Sequence, residues 1–209
     1  MGEHWSAKKP EWGRLYLTEL AIRLPSYVGN RCVRTKKYRM RNLLFSLLLA
    51  ITIHATAADI QVYFSPDGGC TEAVVRELGK AKSTVLVQAY SFTSAPIAKA
   101  LVGAKSRGVK IQVILDKSQR REKYTEADFL LHAGVPTWID AKHAIAHNKI
   151  MVIDSHMVLT GSFNFTKAAE ENNAENLLII DDAGLAQKYT ENWQKHLAHS
   201  EIYKGKEKR

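Results

Sequence analysis

Cysteine is scarce in this chain of 209 residues, which contains two. Cys32 precedes the leader boundary inferred below, so Cys70 stands alone after it and no internal disulfide can form there. Cys70 has two interpretations, a small buried hydrophobe or a bridge between chains. The sequence also lacks a Cys/His cluster at zinc spacing and a carboxylate cluster resembling a metal cage. These absences exclude a disulfide-stapled scaffold and favour chemistry without a metal or other cofactor.

The sequence also lacks an apolar run long enough for a membrane-spanning helix, which needs ~20 residues. Its apolar run at residues 43–53 follows Arg41 and precedes Ala55-Thr56-Ala57, a pattern typical of a signal peptide and its cleavage site. We predict a signal peptide over residues 40–57, cleaved near Ala57, and a periplasmic or secreted product. Residues 1–39 are then a non-structural leader, explained either by a true start at Met40 or by a long basic n-region.

The positive charge of the chain is concentrated in this leader. The formal net charge is +9, but residues 1–57 hold 10 of the 30 Lys+Arg and 3 of the 21 Asp+Glu, which leaves 20 minus 18, or +2. Nucleic-acid affinity would therefore need a local patch, for which the candidates are Lys117, Arg120, Arg121 and Lys123. The same four residues are equally compatible with a solvated loop.

The most informative segment runs from His147 through an apolar strand to Gly161-Ser162-Phe163-Asn164. Side chains two apart share a face of an extended chain, so His147 and Lys149 would meet the same ligand. Gly161 permits a turn or a close approach of the backbone, and the residues after it offer neutral hydrogen-bond donors. Asp154 is an odd number of residues from His147, which predicts the opposite face and a structural role. An imidazole, a cation and neutral donors together indicate phosphodiester chemistry.

This segment matches, without a departure, the HxK(x)4D(x)6GSxN signature of the phospholipase D superfamily. The stretches 89–93, 161–170 and 173–176 extend the resemblance to the small secreted Nuc-type endonucleases of bacteria, over about residues 58–200. The resemblance implies a metal-independent phosphodiesterase in which the motif histidine is covalently phosphorylated. It assigns catalysis to His147, Lys149, Asn164 and Glu175, with Glu175 orienting the imidazole and Ser162 supporting Lys149 and Asn164 in holding the phosphate.

In-line displacement at phosphorus needs one imidazole to attack and another to protonate the leaving oxygen on the opposite side. No other histidine of the mature part is followed by lysine two positions later, so we predict a two-fold homodimer with a shared active site. The predicted activity is a sequence-nonspecific endonuclease acting on DNA or RNA. The alternative is a phospholipase D that hydrolyses phospholipid headgroups, and a third hypothesis is a nucleic-acid-binding protein without activity.

Alternating strand and helix patterns between residues 59 and 199 predict the fold. Two apolar strands, 84–89 and 109–115, flank a helix that Ser94 can cap, which predicts a parallel βαβ unit. Residues 185, 189, 193 and 197 are expected to pack the last helix onto the core. We predict a phospholipase D-like single-domain α/β sandwich over residues 58–200, with a mixed, largely parallel central sheet flanked by helices. Residues 201–209 would form a charged C-terminal tail.

Overall fold

The computed structural model describes residues 58–206. The predicted leader, 1–39, and signal peptide, 40–57, lie outside the described residues and stay predictions. Within 58–206, no helix combines the length and apolar character needed to cross a bilayer.

Strands and helices alternate along the described residues. The predicted strands 84–89 and 109–115, the helix that begins after Ser94 and the last helix are all present, and the two strands end within one residue of the prediction. A single-turn 3-10 helix at Lys117–Arg120, a short helix at Lys167–Glu171 and a strand at Glu201–Ile202 were not predicted. In chain order the elements are β1 Asp59–Ser65, α1 Cys70–Lys80, β2 Thr84–Ala89, α2 Ala95–Ser106, β3 Lys110–Asp116, α3 Ala127–His132, β4 Thr137–Asp140, β5 Lys149–Ile153, β6 Met157–Gly161, α4 Lys167–Glu171, β7 Glu175–Asp181, α5 Ala183–Leu197 and β8 Glu201–Ile202.

The eight strands form one sheet in the order β1-β7-β6-β5-β2-β3-β4-β8. The predicted βαβ unit is confirmed, because β2 and β3 pair in parallel around α2. The expectation of a largely parallel sheet is wrong: β3 and β4 form the other parallel pair, and the remaining five pairings are antiparallel. The two motif strands, β5 and β6, are joined by only three residues, and a connection that short permits only a hairpin.

Helices cover both faces of this mixed sheet. Residues of α1, α2 and α3 pack with alternate strand residues such as Val85 and Val87 on one face. On the other face α5 packs against Ile150 and Val152, and the predicted packing of residues 185, 189, 193 and 197 is confirmed. Trp193 lies at the centre of this second layer, and its indole nitrogen donates to the carbonyl of Val87 at 2.9 Å.

The end of the described chain belongs to the fold, which corrects the prediction of a charged tail from residue 201. Strand β8 pairs with β4 in an antiparallel arrangement that places Ile202 opposite Trp138. Tyr203 is buried, and its hydroxyl donates to the Asp128 carboxylate at 2.7 Å. The domain therefore extends past residue 200 to include at least the residues up to Tyr203.

Cys70 lies at the first position of α1 and is fully buried in the larger core. Burial, aided by the negative charges of Glu170 and Glu72, raises the pKa of its thiol to about 11. Such a thiol is protonated at neutral pH and unreactive. Of its two sequence interpretations, the small buried hydrophobe fits the structure.

Candidate active site

The predicted site residues lie at one end of the sheet, where three strands bring their ends together. Lys149 is the first residue of β5, Gly161 is the last residue of β6, and Glu175 is the first residue of β7. These strands are neighbours in the order β7-β6-β5, and β2 adjoins β5 on its other side, so that Ala89 faces Lys149. Antiparallel pairing of β5 with β6 and of β6 with β7 therefore brings motif residues that are distant in the sequence to the same end of the sheet.

His147 and Lys149 surround the aromatic ring of Tyr90, the residue that follows β2. The exposed imidazole of His147 lies 4.5 Å from this ring, centroid to centroid, at an angle of 54°. The ammonium of Lys149 lies 5.1 Å from the same centroid and donates to the carbonyl of His147 at 2.9 Å. Tyr90 is itself fixed by its backbone N–H, which donates to the Asn148 carbonyl at 2.8 Å. Sequence reasoning missed this residue, whose ring supports both predicted functional side chains.

Lys149 is a buried cation, with only 7% of its surface exposed. Burial lowers its pKa, and the negative charge of Glu175 acts in the opposite direction. Within residues 58–206 no carboxylate comes within salt-bridge distance of the ammonium. Because a buried charge is costly without an ionic partner, this lysine is suited to receive an anionic ligand.

The turn after β6 presents Ser162 and Asn164. The Ser162 hydroxyl oxygen accepts from the backbone N–H of Asn176 at 3.0 Å, so its own proton remains available to a ligand. The side-chain oxygen of Asn164 is buried and has no hydrogen-bond partner among the described residues. Phe163 and Phe165 are buried on either side of Asn164 and fix the turn in the core. The turn therefore holds a rigid hydroxyl and a rigid amide at the site.

Gly161 has a backbone conformation that favours glycine, with φ of +147°. A Cβ at this position would lie 2.3 Å from the carbonyl oxygen of Asn176. That carbonyl accepts from the backbone N–H groups of both Ser162 and Phe163, so it cannot move without disturbing the turn. The motif glycine is thus required for the close approach of β6 and β7.

We expect Gly161→Ala to destabilise the protein by about 3 kcal/mol, through backbone strain and the clash with β7. Urea unfolding would measure the loss. Gly79→Ala is the matched control: it lies in α1 with nothing within 4 Å of the added Cβ. Since alanine is the better helix former, this control should be neutral or slightly stabilising. Equal stability of the two variants would contradict the role assigned to Gly161.

Glu175 does not make the hydrogen bond to His147 that the resemblance implies. Its carboxylate instead accepts from the side-chain amide of Asn173 at 3.1 Å, and no hydrogen bond to the His147 ring occurs among the described residues. The reason is the sheet order, in which β6 separates β7 from β5, and two strand spacings amount to roughly 9–10 Å. In this conformation Glu175 acts on Lys149 through its charge.

Asp154 lies on the turn between β5 and β6 and binds the backbone at the start of β2. Its carboxylate accepts from the backbone N–H groups of Lys82, Ser83 and Thr84 at 2.8 to 3.0 Å and from the Ser83 hydroxyl at 2.7 Å. Burial opposes its ionisation, but these hydrogen bonds outweigh that effect and lower its pKa to about 2. These contacts hold backbone segments together, as the structural role predicted for Asp154 from the sequence implies.

We expect Asp154→Asn to destabilise the fold by about 2 kcal/mol at neutral pH, because an amide cannot accept all four hydrogen bonds. The folded-state pKa of Asp154 is below its ordinary value of 3.8, so its contribution is complete above pH 4. The stability difference from wild type should therefore shrink as the pH falls from 4 toward 2. Urea unfolding at pH 7 and pH 3 would test this. Asp181→Asn, which changes a half-exposed carboxylate, should have little effect at either pH.

A cavity of about 630 Å³ opens beside Tyr90. Its walls include Lys117, Arg120 and Arg121, three of the four cations that the sequence proposed as a patch, and the exposed side chain of Ile145. Lys123, the fourth, does not line the cavity and instead lies over the ring of Tyr124. Arg120 also forms an ion pair with Glu201 at the start of β8.

A second polar cluster was missed by sequence reasoning, which searched for metal ligands at short spacing. It joins Asp140 to His143, His196 and His199, four side chains spread over 60 residues of sequence. Burial opposes ionisation of the Asp140 carboxyl, but the contacts from His196, His199, the backbone of Lys142 and His143 lower its pKa to about 2. The available signals were the short repeats Asp-x-x-His and His-x-x-His, which gain meaning only when β4 and α5 come together.

Comparison with known proteins decides the family. A family profile described as "Cardiolipin synthase, PLD-like domain" matches residues 74–197, more than half of the chain. The chain belongs to the phospholipase D superfamily. The predicted resemblance is thereby confirmed, and with it the assignment of the protein as a phosphodiester hydrolase.

Relatives within the superfamily carry different names. Phospholipase D of Rickettsia typhi is 39% identical over 145 residues, covering 69% of this chain and 71% of that protein. Mitochondrial cardiolipin hydrolase of Xenopus laevis is 29% identical over 192 residues, covering 88% and 90%. The phospholipase D family member Nuc from Salmonella typhimurium superposes with a TM-score of 0.68 at 36% identity, over 71% of this chain and 100% of that one. The α/β fold with a mixed sheet is therefore that of the phospholipase D superfamily.

Proposed function

We propose that this protein is a sequence-nonspecific endonuclease that hydrolyses DNA or RNA. The observation that carries the proposal is the basic cavity beside Tyr90. Lys117, Arg120 and Arg121 line it together with Asp116 and Glu201. Tyr90, whose ring contacts the predicted nucleophile, forms part of the same wall, which suits a substrate with further phosphates beside the one attacked. A single lipid headgroup does not need Lys117 and Arg121, the two cations of this wall that have no carboxylate partner among the described residues.

In the proposed reaction a ring nitrogen of His147 attacks phosphorus, and the bond from phosphorus to the leaving oxygen breaks. A second imidazole gives its proton to that oxygen, which leaves a phosphohistidine. Water then attacks the phosphorus, loses its proton to the second imidazole, and releases His147. Lys149 and Asn164, with Ser162, bind the oxygens that do not react and stabilise their growing charge. Glu175 supports the positive charge of the site through its carboxylate.

We propose that the second imidazole is His147 of a second copy of this chain, in a two-fold dimer. The apolar face of β1 offers a surface for that contact: Ile60, Val62 and Phe64 are 54%, 48% and 65% exposed. On the neighbouring strand they lie opposite Ile180, Leu178 and Asn176. Helix α5 packs on β2, β4, β5 and β6 and leaves this edge of the same face uncovered.

The position of this apolar face favours a second copy as its occupant. Phe64 pairs with Asn176, whose carbonyl anchors the Ser162 turn, so the face adjoins the site. A two-fold contact there would bring two sites toward one another, as the chemistry at phosphorus needs. An exposed, apolar edge strand is also a surface that proteins normally cover.

Sedimentation and mixing would test the dimer. Phe64→Asp should give monomers and abolish activity, whereas Tyr124→Asp, which changes another exposed aromatic side chain, should leave the dimer intact. In exchanged mixtures of wild type and His147→Ala, activity should follow the square of the wild-type fraction. A linear dependence, or an active monomer, would exclude the shared site.

The alternative substrate is a phospholipid. The exposed apolar side chain of Ile145 in the cavity wall favours it, because an acyl chain could lie against that residue. The names of the relatives, phospholipase D and cardiolipin hydrolase, point the same way.

Parallel assays on plasmid DNA, single-stranded RNA and phosphatidylcholine or cardiolipin vesicles would separate these substrates. We expect nicking of nucleic acid, with no release of lipid headgroups. The double variant Lys117→Ala, Arg121→Ala should raise KM for DNA and leave kcat nearly unchanged. The slope of log KM against log salt concentration should fall by the amount expected for about two lost phosphate contacts. Lipid hydrolysis without nicking would overturn the proposal.

We also propose that the protein acts in the periplasm or outside the cell, after cleavage near Ala57. The support is the basic, apolar and small-residue pattern of residues 40–57. N-terminal sequencing of the protein recovered from periplasmic and culture fractions should begin at Ala58. A product that keeps residues 40–57 in the cytoplasm would contradict export.

A further inference from the structure

The cluster around Asp140 lies outside the phosphodiesterase site and has no part in the proposed reaction. Asp140 ends β4, His143 lies in the loop after it, His196 is in the last turn of α5, and His199 lies just beyond that helix. Asp140 is fully buried. Its Oδ2 atom lies 2.7 Å from His196 Nδ1, 3.1 Å from His143 Nδ1 and 3.3 Å from His199 Nε2.

We propose that Asp140, His143, His196 and His199 bind a structural zinc ion. They supply three imidazole nitrogens and one carboxylate oxygen, a donor set that suits Zn²⁺ and gives a closed, four-coordinate site. One ligand atom from each residue lies within 4.8 Å of all the others. In a tetrahedron with metal bonds of 2.0–2.1 Å, ligand atoms are roughly 3.3 Å apart, so only small side-chain movements are needed.

Hydrogen bonding alone leaves this cluster incompletely satisfied. Three ring nitrogens converge on one carboxylate oxygen, and His199 Nε2 is buried without a properly oriented hydrogen-bond partner in the described chain. The imidazole rings lie 4.9, 5.2 and 5.4 Å apart, nearly an equilateral triangle. Positive charges on all three rings would repel one another at these distances. One divalent cation would satisfy the three nitrogens and the buried carboxylate together.

The surroundings of Asp140 direct one of its oxygens at the three histidines. Oδ1 accepts from the backbone N–H of Lys142 at 3.1 Å and lies 3.3 Å from His143 Nδ1, whereas Oδ2 makes the closest contact with each of the three histidines. Such a contact from outside the ligand set orients a metal-binding carboxylate. The ligands come from β4, the next loop and the end of α5, so the metal would join the sheet to the C-terminal helix.

The loop that carries His143 also carries His147. Beyond the cluster, Lys117 donates to the His143 carbonyl at 3.1 Å, and the backbone N–H of Ala146 donates to the Asp116 carboxylate at 2.7 Å. A metal on His143 would therefore hold the loop at a third point, four residues before the predicted nucleophile. The same loop forms one wall of the basic cavity. The ion would position this loop and would not touch the substrate.

Zinc binding by the full chain tests this proposal. We expect the protein, stripped of metal and titrated with Zn²⁺ alone, to bind one ion per chain. At a free zinc concentration about 100 times the Kd, Tm should rise by about 5–10 °C. His143→Gln and His196→Gln should each weaken binding at least about 100-fold, since even partners outside the ligand set contribute 10–100-fold. His132→Ala, an exposed histidine outside the cluster, should bind zinc as wild type does.

X-ray absorption at the zinc edge of the wild-type protein gives a second measurement, which does not depend on the variants folding. It should show nitrogen and oxygen ligands at about 2.0–2.1 Å, with the outer-shell pattern of three imidazoles. No bound zinc, unchanged binding in His196→Gln, or a spectrum with fewer imidazoles would overturn the proposal. These readouts involve no substrate, so they can fail or succeed independently of the nuclease activity.

Discussion

His147→Ala should lower kcat by at least about 10⁴-fold, because it removes the nucleophile of the proposed covalent mechanism. The loss should be the same on every phosphodiester that the enzyme accepts, since the nucleophile acts on phosphorus and not on the rest of the substrate. The variant should still fold, because the imidazole of His147 is exposed and its removal costs the contact with the ring of Tyr90 but leaves no cavity in the core. Unfolding experiments should therefore place the variant within about 0.5 kcal/mol of wild type.

A trapping experiment separates this role from simple substrate binding. Wild type mixed with DNA and quenched under alkaline denaturing conditions, which preserve phosphohistidine, should carry a nucleotide adduct on the peptide that contains His147. His147→Ala should carry none, and His132→Ala should behave as wild type. An adduct on a different residue, or an active His147→Ala enzyme, would refute the proposed mechanism.

Lys149→Met should lower kcat by about 10²–10³-fold while leaving the protein as stable as wild type, or more stable. The activity is expected to fall because the variant loses the charge that, in the proposed mechanism, stabilises the phosphate oxygens in the transition state. The stability holds because methionine fills most of the volume of a lysine that is buried without a carboxylate partner. The lysine would thus be an example of stability given up for function.

Activity and Tm measured on the same samples would test this pair of effects. Lys110→Met is a suitable control, since Lys110 is an exposed lysine at the start of a strand outside the site. It should change neither quantity appreciably. If Lys149→Met instead unfolds more easily and its activity loss matches the unfolded fraction, Lys149 has only a structural role.

Local patterns predicted most of the elements because each depends on nearby residues. The apolar runs of β2 and β3, the Ser94 start of α2 and the periodicity of α5 are all visible within short windows of sequence. The proportion of antiparallel pairing could not be predicted from such windows, because pairing depends on which strands become neighbours in the sheet. Strand β8 was not predicted for a related reason: two residues carry no pattern, and their pairing partners, Trp138 and Ile139 of β4, lie 64 and 62 positions earlier in the sequence.

The candidate site divides in the same way. His147, Lys149, Ser162 and Asn164 were recognised because a continuous motif contains them. Tyr90 was not, because its contact with His147 depends on β2 lying next to β5. The Asp140 cluster was even harder to predict from sequence, because its residues come together only when β4 and α5 pack against each other.

The backbone contacts of Asp154 change what the motif can be taken to mean. Its carboxylate fastens the β5–β6 turn to the start of β2, so selection for a folded domain would retain it whether or not the domain reacts with phosphate. A relative that keeps the aspartate and the glycine but has replaced the histidine should therefore be a stable, inactive scaffold. The signature thus contains two separable sets of residues. The aspartate and the glycine maintain the fold, and the histidine belongs to the proposed chemistry, so a search for active enzymes should rely on the second set.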